Sequence, residues 1–452
     1  MAEKVLPDHV LELVVDRLNL PDLYRFGWVC KSWKSVCDPM QFQNYLPWLI
    51  VPFHHNPNPP FEDEPFYSFE DYKHPHNTKM AFQEDDMIGF FSLTDNKTYK
   101  VEIPELLNRR ICGSCPGGWL ITVHENSQIQ LFNPLTSSSK GRVIHHLPPL
   151  TEFPLMHKTI EKKENEDAPT YLYYIGTKWD ADFHKSLGRD ENFCDDAKHV
   201  RDGYIYKVAM SSSRVASGTI LMAIQDRGKS LAFYRIGSHQ HIWTSVSLYV
   251  KHCNLTDLTF FRGEFYAVNC NGYVLRVHGL PQVDDDEQGE QERPVISVER
   301  TIDNPPVRHA SQYYIVESSD DLLVVLRYLG NANGSKRADR RYPYKTVAFR
   351  VFKLEFAKPN NNWIQIESLG DRSLFLGYNS SFSVLSNDFF SCKPNCIYFT
   401  DDNRWRFSKR NFGGHDMGIF HLEDGSIDTF LYPSGTHYVM PPPIWFSPYP
   451  SN

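Results

Sequence analysis

The chain has 452 residues, of which 41% are hydrophobic and 23% charged, and its formal net charge at pH 7 is -8. This composition is typical of a folded protein and excludes a largely disordered chain, while the length favours a small module followed by a larger domain. The acidic balance argues against nucleic acid or a membrane surface as the partner.

Cysteine usage and the lack of targeting patterns indicate the compartment. The N-terminus does not have the pattern of a secretory signal, and no run approaches the roughly 18 apolar residues of a membrane span. Nine scattered cysteines are typical of a reducing compartment rather than of a disulfide framework. We therefore expect a cytoplasmic or nuclear protein.

The N-terminal end of the chain predicts three short helices. The first helix carries one apolar stripe at helical spacing, formed by Val10, Leu11, Val14 and Leu18. Pro21 then fits the first position of a second helix. Three helices this short bury their own apolar faces poorly. The pattern therefore indicates either a helical hairpin docked on the rest of the chain or a module that binds a partner protein.

Specific residues favour the second interpretation. Leu6-Pro7, the apolar first helix, Asp22-Leu23 and the motif Val29-Cys30-Lys31-Ser32-Trp33 follow one another without a gap. This run resembles the F-box of plant F-box proteins, with departures at Asn19 and Gly27. The resemblance implies docking on a Skp-type adaptor of a cullin-RING ubiquitin ligase. The residues expected to contact the adaptor are Leu6, Pro7, Val10, Leu11, Val14, Leu18, Leu20, Leu23, Val29, Cys30 and Trp33.

From Trp48 onward the periodicity changes from helix to strand. The hairpin turn Asn271-Gly272 is typical of the short loops that separate the strands. About 24 strands fall into roughly six groups of four, which predicts a β-propeller of about six blades, with a two-sheet sandwich array as the alternative. Residues 155–202 predict a long insertion with one strand, and the acidic run 284–292 predicts a solvated loop. Pro441-Pro442-Pro443 argues against a central strand at the C-terminal end.

The sequence therefore predicts a mainly β fold in which a small three-helix module precedes the propeller. The expected domains are residues 1–40, 47–435 and a Pro-rich tail, 436–452. The segments from Leu374 to Phe382, from Cys392 to Asp402 and from Pro441 to Phe446 are similar to the C-terminal domain of many plant F-box proteins. This resemblance implies a kelch-like propeller that selects a target protein.

No residue pattern predicts bond chemistry. Cys112-Gly113-Ser114-Cys115 resembles the segment around the nucleophile of papain-like proteases, which needs a thiolate at a helix start. Here Pro116-Gly117-Gly118 and a strand pattern follow, so we expect a turn before a strand. A zinc site that adds Cys392 and Cys396 is disfavoured because about 280 residues separate the pairs. Adjacent histidines such as His145-His146 point to opposite faces of a strand. We therefore expect no metal, no cofactor and no catalytic residue.

These expectations combine into one function. The chain is expected to be the substrate-recognition subunit of an SCF-type cullin-RING ubiquitin ligase. Its F-box would bind a Skp-type adaptor, and through it cullin, while its propeller holds a target protein for ubiquitination and degradation. Two alternatives stay open, namely a propeller enzyme that acts at its central channel and an F-box scaffold that does not lead to degradation.

Overall fold

The computed structural model of the chain describes residues 6–15, 17–18, 26, 29, 33, 36, 48–52, 81–82, 87–93, 97–115, 117–138, 141–154, 156–161, 170–175, 194–246, 254–280, 296–302, 304–307, 310–331, 344–356, 362–389, 392–402, 416–430, 439–440 and 443–446. The predicted second and third helices lie mostly outside these residues, and so does the acidic run 284–292. Everything below concerns the described part of the chain.

Two α-helices are described, α1 (Asp8–Val15) and α2 (Ala197–Gly203). Asp8 lies in the first turn of α1, where its carboxylate is favoured by the positive end of the helix. Leu11 and Val15 are four residues apart on one side of α1, and both are buried. Among the described residues, no helix is long and apolar enough to cross a membrane.

Thirty strands make up most of the described chain. The first eleven are β1 (Trp48–Pro52), β2 (Ala81–Phe82), β3 (Met87–Ser92), β4 (Lys97–Glu102), β5 (Arg109–Cys115), β6 (Trp119–His124), β7 (Ile129–Ser138), β8 (Gly141–Leu147), β9 (Met156–Glu161), β10 (Thr170–Ile175) and β11 (Cys194–Asp196). The next eight are β12 (Ile205–Met210), β13 (Ile220–Gln225), β14 (Ser230–Arg235), β15 (Thr244–Val246), β16 (Leu255–Phe261), β17 (Glu264–Asn269), β18 (Val274–His278) and β19 (Ser297–Ile302). The last eleven are β20 (Gln312–Ser318), β21 (Asp321–Asn331), β22 (Tyr344–Glu355), β23 (Asn362–Ile366), β24 (Arg372–Leu376), β25 (Phe382–Leu385), β26 (Cys396–Phe399), β27 (Gly418–His421), β28 (Ile427–Thr429), β29 (Val439–Met440) and β30 (Ile444–Phe446).

These strands form a six-bladed propeller. In order across each sheet, blade 1 is β30-β1-β3-β4, blade 2 is β5-β6-β7-β8, blade 3 is β12-β13-β14-β15, blade 4 is β16-β17-β18-β19, blade 5 is β20-β21-β22-β23 and blade 6 is β25-β24-β26-β27-β28. The inner strands of successive blades contact one another from β30 through β5, β12, β16 and β20 to β25, so they surround a central axis. The predicted fold class is confirmed.

The C-terminal end closes the ring. Strand β30 pairs with β1, with Trp48 opposite Phe446 and Ile50 opposite Ile444, so both ends of the propeller lie in blade 1. The sequence pattern predicts only a Pro-rich tail at this end, and for Ile444–Phe446 that prediction is wrong. The proline rule itself holds, because β30 lies at the edge of its sheet and the prolines precede it.

The segment between blades 2 and 3 is more regular than its sequence suggests. It forms a separate three-stranded sheet in the order β11-β10-β9, followed by α2. The sequence analysis predicts only one strand here, over Tyr171–Thr177, which corresponds to β10. Strands β2 and β29 form a further, parallel pair.

Six apolar clusters fill the molecule, one at each contact between neighbouring blades. The cluster between blades 1 and 2 joins Ile50 and Phe90 of blade 1 to Leu120 of blade 2, and the same cluster includes Leu11 and Val15 of α1. Burial of such side chains contributes about 1.5–3 kcal/mol each. The N-terminal module therefore shares a core with the propeller.

Candidate functional site

Exposed apolar side chains are concentrated in the N-terminal module. Leu13 is 62% exposed, Val29 61%, Leu6 44% and Val14 40%. They are four of the nine large hydrophobic side chains that are exposed in the described part of the chain. The N-terminal module supplies only a small share of the described residues, so these side chains are concentrated in it. Exposed apolar groups gathered in one region are typical of a surface that another protein covers.

Eight of the eleven predicted adaptor contacts are described, and Leu20, Leu23 and Cys30 lie outside the described residues. The eight have three degrees of exposure: Leu6, Pro7, Val14 and Val29 are exposed, Val10, Leu18 and Trp33 are half-buried, and Leu11 is fully buried. The stripe predicted from helical spacing is therefore divided. Leu11 faces the chain's own core together with Val15, so it supports the exposed surface instead of forming part of it.

Leu13 is the residue that the sequence analysis missed. It is the most exposed large hydrophobic side chain in the described chain, yet it lies off the stripe that the helical spacing selects. The available signal in the sequence was its position directly after the charged residue Glu12 and outside the apolar stripe. An apolar residue on the polar face of an amphipathic helix gains nothing from the chain's own core.

A second candidate site is the propeller axis, where an ion pair is buried. The ammonium group of Lys207 on β12 lies 3.0 Å from Oδ1 of Asp257 on β16, and the two side chains are 2% and 0% exposed. Oδ2 of Asp257 accepts hydrogen bonds from the backbone N–H of Ile315 on β20 at 3.2 Å and from Oγ of Ser381 in blade 6 at 2.5 Å. Burial raises the pKa of the Asp257 carboxyl group, and Lys207 opposes this rise. One carboxylate therefore links four blades.

The loop of residues 377–381 joins β24 to β25 and crosses the axis; we call it the axial loop. Oγ of Ser380 donates a hydrogen bond to the backbone carbonyl of Val208 in blade 3. Oδ1 of Asn379 accepts one from the backbone N–H of Trp445 in blade 1 at 3.2 Å. Because Ser381 also reaches Asp257 in blade 4, this short segment of blade 6 touches blades on several sides of the ring.

The first two residues of the axial loop complete these contacts. The ring of Tyr378 lies 5.4 Å from the guanidinium carbon of Arg110 in blade 2 and 5.7 Å from the ring of Tyr206 in blade 3. A side chain at Gly377 would place its Cβ against Oγ1 of Thr400, so the loop can leave β24 at this point only with glycine. The loop therefore fills the centre of the propeller and contacts blades 1 to 4.

A third buried polar network joins blades 5 and 6. The guanidinium group of Arg327 on β21 is 1% exposed. Its nitrogens lie 3.0 Å from Oδ1 of Asp402 and 2.9 Å from Oδ2 of Asp416, and donate further hydrogen bonds to Oγ1 of Thr346 and the hydroxyl of Tyr314. The carboxylates and the tyrosine hydroxyl hold the pKa of Arg327 well above its usual value, despite its burial. The charges are paired within the chain, as burial requires.

The charged side chains described at the axis are paired with each other. Among the described residues, no three His, Cys, Asp or Glu side chains are placed to hold a metal ion together. The carboxylate of Asp257 and the ammonium of Lys207 point at each other. What these groups do in this geometry is fix neighbouring blades to one another.

One arrangement that resembles a catalytic triad lies in blade 6 and was not found from the sequence. Sγ of Cys396 lies 3.4 Å from Nδ1 of His421, whose Nε2 lies 2.9 Å from Oδ2 of Asp428. However, Cys396 is 1% exposed, and burial raises the pKa of its thiol to about 11. A cysteine nucleophile needs the opposite, a lowered pKa and access to substrate. The three residues lie on neighbouring strands β26, β27 and β28, and no local motif in the sequence connects them.

The cysteine pair of the segment Cys112-Gly113-Ser114-Cys115 is also buried, whereas Cys392 is partly exposed. Cys112 and Cys115 lie within strand β5 itself instead of in a turn before it, and the turn comes after them, at Gly117 and Gly118. Burial raises the pKa of the Cys115 thiol to about 12. Both side chains therefore belong to the core, and the Cys115 thiol is protonated at neutral pH.

Comparison with known proteins bears on both parts of the chain. The family model of the KIB1-4 β-propeller matches residues 90–421, and that of the F-box domain matches residues 5–44. The first match spans blades 2 to 5 completely and parts of blades 1 and 6. The second contains all the residues predicted to contact an adaptor.

Two relatives agree with these matches in extent. F-box protein SKIP23 of Arabidopsis thaliana is 24% identical over 463 residues, which cover 98% of this chain and 95% of that protein. F-box protein At2g17036 of the same plant is 23% identical over 462 residues, which cover 98% and 94%. A functionally unknown protein from Desulfotomaculum acetoxidans aligns over 82% of this chain and 98% of its own, with 9% identity and a TM-score of 0.36.

Proposed function

Because the chain belongs to the KIB1-4 β-propeller family and carries an F-box domain, we propose that it selects a particular target protein for ubiquitination and degradation. The two domains and the F-box relatives support a substrate-recognition role in an SCF-type ligase in general. F-box domains generally bind Skp-type adaptors, which connect them to cullin. The chain itself contributes proximity and no bond chemistry, and it acts in the cytoplasm or nucleus.

The observation that carries this proposal is the exposure of Leu6, Leu13, Val14 and Val29 in the F-box. Fully burying a leucine or valine side chain contributes about 1.5–3 kcal/mol. An adaptor that covers this surface therefore gains affinity without unfolding any part of the chain. Because Leu11 and Val15 anchor the same helix in the core between blades 1 and 2, the adaptor also receives the propeller in a defined orientation.

The first test is adaptor binding by a chain with Leu13→Asp. Leu13 is exposed, so its replacement leaves the core intact while it places a charge in the apolar contact. We expect the dissociation constant for a Skp-type adaptor, measured by biolayer interferometry with the full chain, to rise at least about tenfold. The matched control is Ile364→Asp. It makes the same kind of replacement, an apolar side chain by a carboxylate, at a 39% exposed isoleucine on β23 of the propeller.

The outcome is read from the pair of variants. Loss of binding for Leu13→Asp together with wild-type affinity for Ile364→Asp supports the F-box surface. Equal affinity for all three proteins, or no binding by the wild type, would contradict the proposal. Leu11→Asp is a poor test because Leu11 is fully buried, and a buried carboxylate unfolds the helix.

A second test separates degradation from scaffolding. Proteins held by the propeller are captured by proximity labelling in cells that express either the wild type or Leu13→Asp. If the chain directs degradation, labelled targets accumulate with the variant and are ubiquitinated by the reconstituted wild-type ligase. Targets that bind both forms equally, do not accumulate and are not ubiquitinated would identify a scaffold instead.

A further inference from the structure

The three most deeply buried cationic side chains of the described chain are Arg110, Lys207 and Arg327, which are 1%, 2% and 1% exposed. Lys207 is paired with Asp257, and Arg327 is paired with two carboxylates. Arg110 forms no ion pair with any carboxylate that the structure describes. A buried guanidinium without a carboxylate at ion-pair distance is costly, so Arg110 requires an explanation.

The guanidinium of Arg110 is also only partly hydrogen-bonded. Its Nη1 donates to the backbone carbonyls of Arg201 at 3.1 Å and Ile205 at 3.4 Å, which ties β5 to the segment between α2 and β12. Its Nε and Nη2 are buried and have no partner among the described residues. The N–H groups on Nε and Nη2 therefore have no acceptor. In a planar guanidinium these two groups lie side by side, and their spacing matches two oxygens of a carboxylate or a phosphate.

The carboxylate whose charge helps to raise the pKa of Arg110 is already bound by another arginine. Asp202 accepts two hydrogen bonds from Arg201, at 2.7 and 3.0 Å, and Glu125 lies 3.8 Å from the same guanidinium. Asp202 is therefore not a close counter-charge of Arg110, and the buried guanidinium favours a further anion beside it.

The axial loop supplies a third donor. The hydroxyl of Tyr378 is buried beside this guanidinium and helps to raise the pKa of Arg110, but no hydrogen bond of good geometry joins it to any described residue. The Tyr378 ring lies 5.4 Å from the guanidinium carbon of Arg110. The ring of the partly exposed Tyr206 lies 5.7 Å from that of Tyr378, so solvent is close to this corner of the axis. A buried tyrosine hydroxyl usually finds a partner.

We propose that Arg110 and the hydroxyl of Tyr378 bind a small oxyanion, a carboxylate or phosphate group, beside the axial loop. The bound anion neutralises the guanidinium and accepts hydrogen bonds from Nε and Nη2 of Arg110 and from the hydroxyl of Tyr378. It connects blade 2 to the loop of blade 6 that fills the axis. This site does not depend on the proposed role in ubiquitination, because it lies in the propeller and not on the F-box surface.

The test measures binding to the purified full-length chain by isothermal titration calorimetry. Inorganic phosphate and acetate are titrated separately, with sodium chloride keeping the ionic strength constant. We expect saturable binding of one of these probes at one site per chain. Arg110→Met should weaken that binding at least about tenfold, because it removes the charge and both free N–H groups. Arg109→Met is the matched control: Arg109 is the neighbouring arginine, and its Nη1 donates to the carbonyl of Gln128.

A milder variant keeps the test decisive if Arg110→Met does not fold. Tyr378→Phe retains the ring and removes only the hydroxyl, and it should weaken binding several-fold. Binding of phosphate alone identifies a phosphate ligand, and binding of acetate alone identifies a carboxylate. If neither probe saturates the wild type, or if binding to Tyr378→Phe or Arg110→Met equals that of the wild type, the free N–H groups bind water only and the proposal is overturned.

Discussion

At the scale of single residues, burial decides what a reactive group does. Cys396, His421 and Asp428 are arranged as thiol, imidazole and carboxylate, with separations of 3.4 and 2.9 Å. In an active site such a row lowers the pKa of the thiol. Here burial has the larger effect and raises the thiol pKa to about 11. The row therefore connects three strands of blade 6, and Cys396 stays protonated at neutral pH.

The protonation of Cys396 gives the first prediction, an alkylation profile. The raised pKa means that the thiolate is lost as pH falls below about 11, so at pH 8 Cys396 holds about 100-fold less thiolate than a thiol of pKa near 9. We expect iodoacetamide to label the exposed Cys270 first and Cys396 only in strongly alkaline buffer or after unfolding. Peptide mass spectrometry across pH 7 to 10 measures both rates. Fast labelling of Cys396 at pH 7 would revive a catalytic interpretation.

At the scale of elements, periodicity located strands best where they are buried. In the sequence, the apolar run Thr219–Ile224 predicts a strand, and the structure places β13 at Ile220–Gln225, one residue further along. The agreement is close because every residue of β13 is buried. Strand β19 (Ser297–Ile302) was missed, since it is an outer strand with polar, exposed residues and no apolar alternation. Strand β30 was missed because three prolines precede it. A proline lacks only its own backbone N–H donor, so the residues after it can still pair in a sheet. Ile444–Phe446 pair with β1 immediately after the prolines.

The second prediction concerns this closing strand. Trp445 on β30 is fully buried, its Nε1 donates to the carbonyl of Leu376 at 3.1 Å, and its ring lies 5.2 Å from that of Phe375. Trp445→Ala should lower the free energy of unfolding by about 3–5 kcal/mol. Trp363→Ala, on the outer strand β23, removes an equally large but partly exposed ring and should cost clearly less. Thermal melting followed by circular dichroism compares the two, and equal losses would show that β30 does not close the ring.

At the scale of the whole molecule, the contacts that matter most join residues far apart in the chain. Lys207 and Asp257 are 50 residues apart, and Ser381 and Asp257 are 124 apart. No spacing rule connects such residues, so the sequence indicated a propeller without showing what fills its centre. The same holds for the F-box: the helix pattern was visible, but the burial of Leu11 depends on blades 1 and 2.

The third prediction tests the axial ion pair with a double-mutant cycle. Asp257→Leu leaves Lys207 buried without its carboxylate and should cost about 3–5 kcal/mol of stability. Lys207→Met should cost less, about 1–3 kcal/mol, because Asp257 keeps its hydrogen bonds from Ser381 and from the backbone N–H groups of Leu258 and Ile315. The double variant should lose less than the sum, since it leaves no unpaired buried charge.

The surface pair Lys353–Asp321 provides the control for this cycle. Its atoms are 2.8 Å apart, closer than the axial pair, but the side chains are 35% and 37% exposed. The same replacements, Lys353→Met and Asp321→Leu, should show a coupling energy of at most about 1 kcal/mol, because water screens an exposed pair. Urea denaturation at constant ionic strength supplies the stabilities of the wild type and of the six variants. If the axial cycle is as additive as the surface cycle, the Lys207–Asp257 ion pair does not hold the blades together, because its two side chains then contribute independently. Packing and the remaining hydrogen bonds to Asp257 would join the four blades instead.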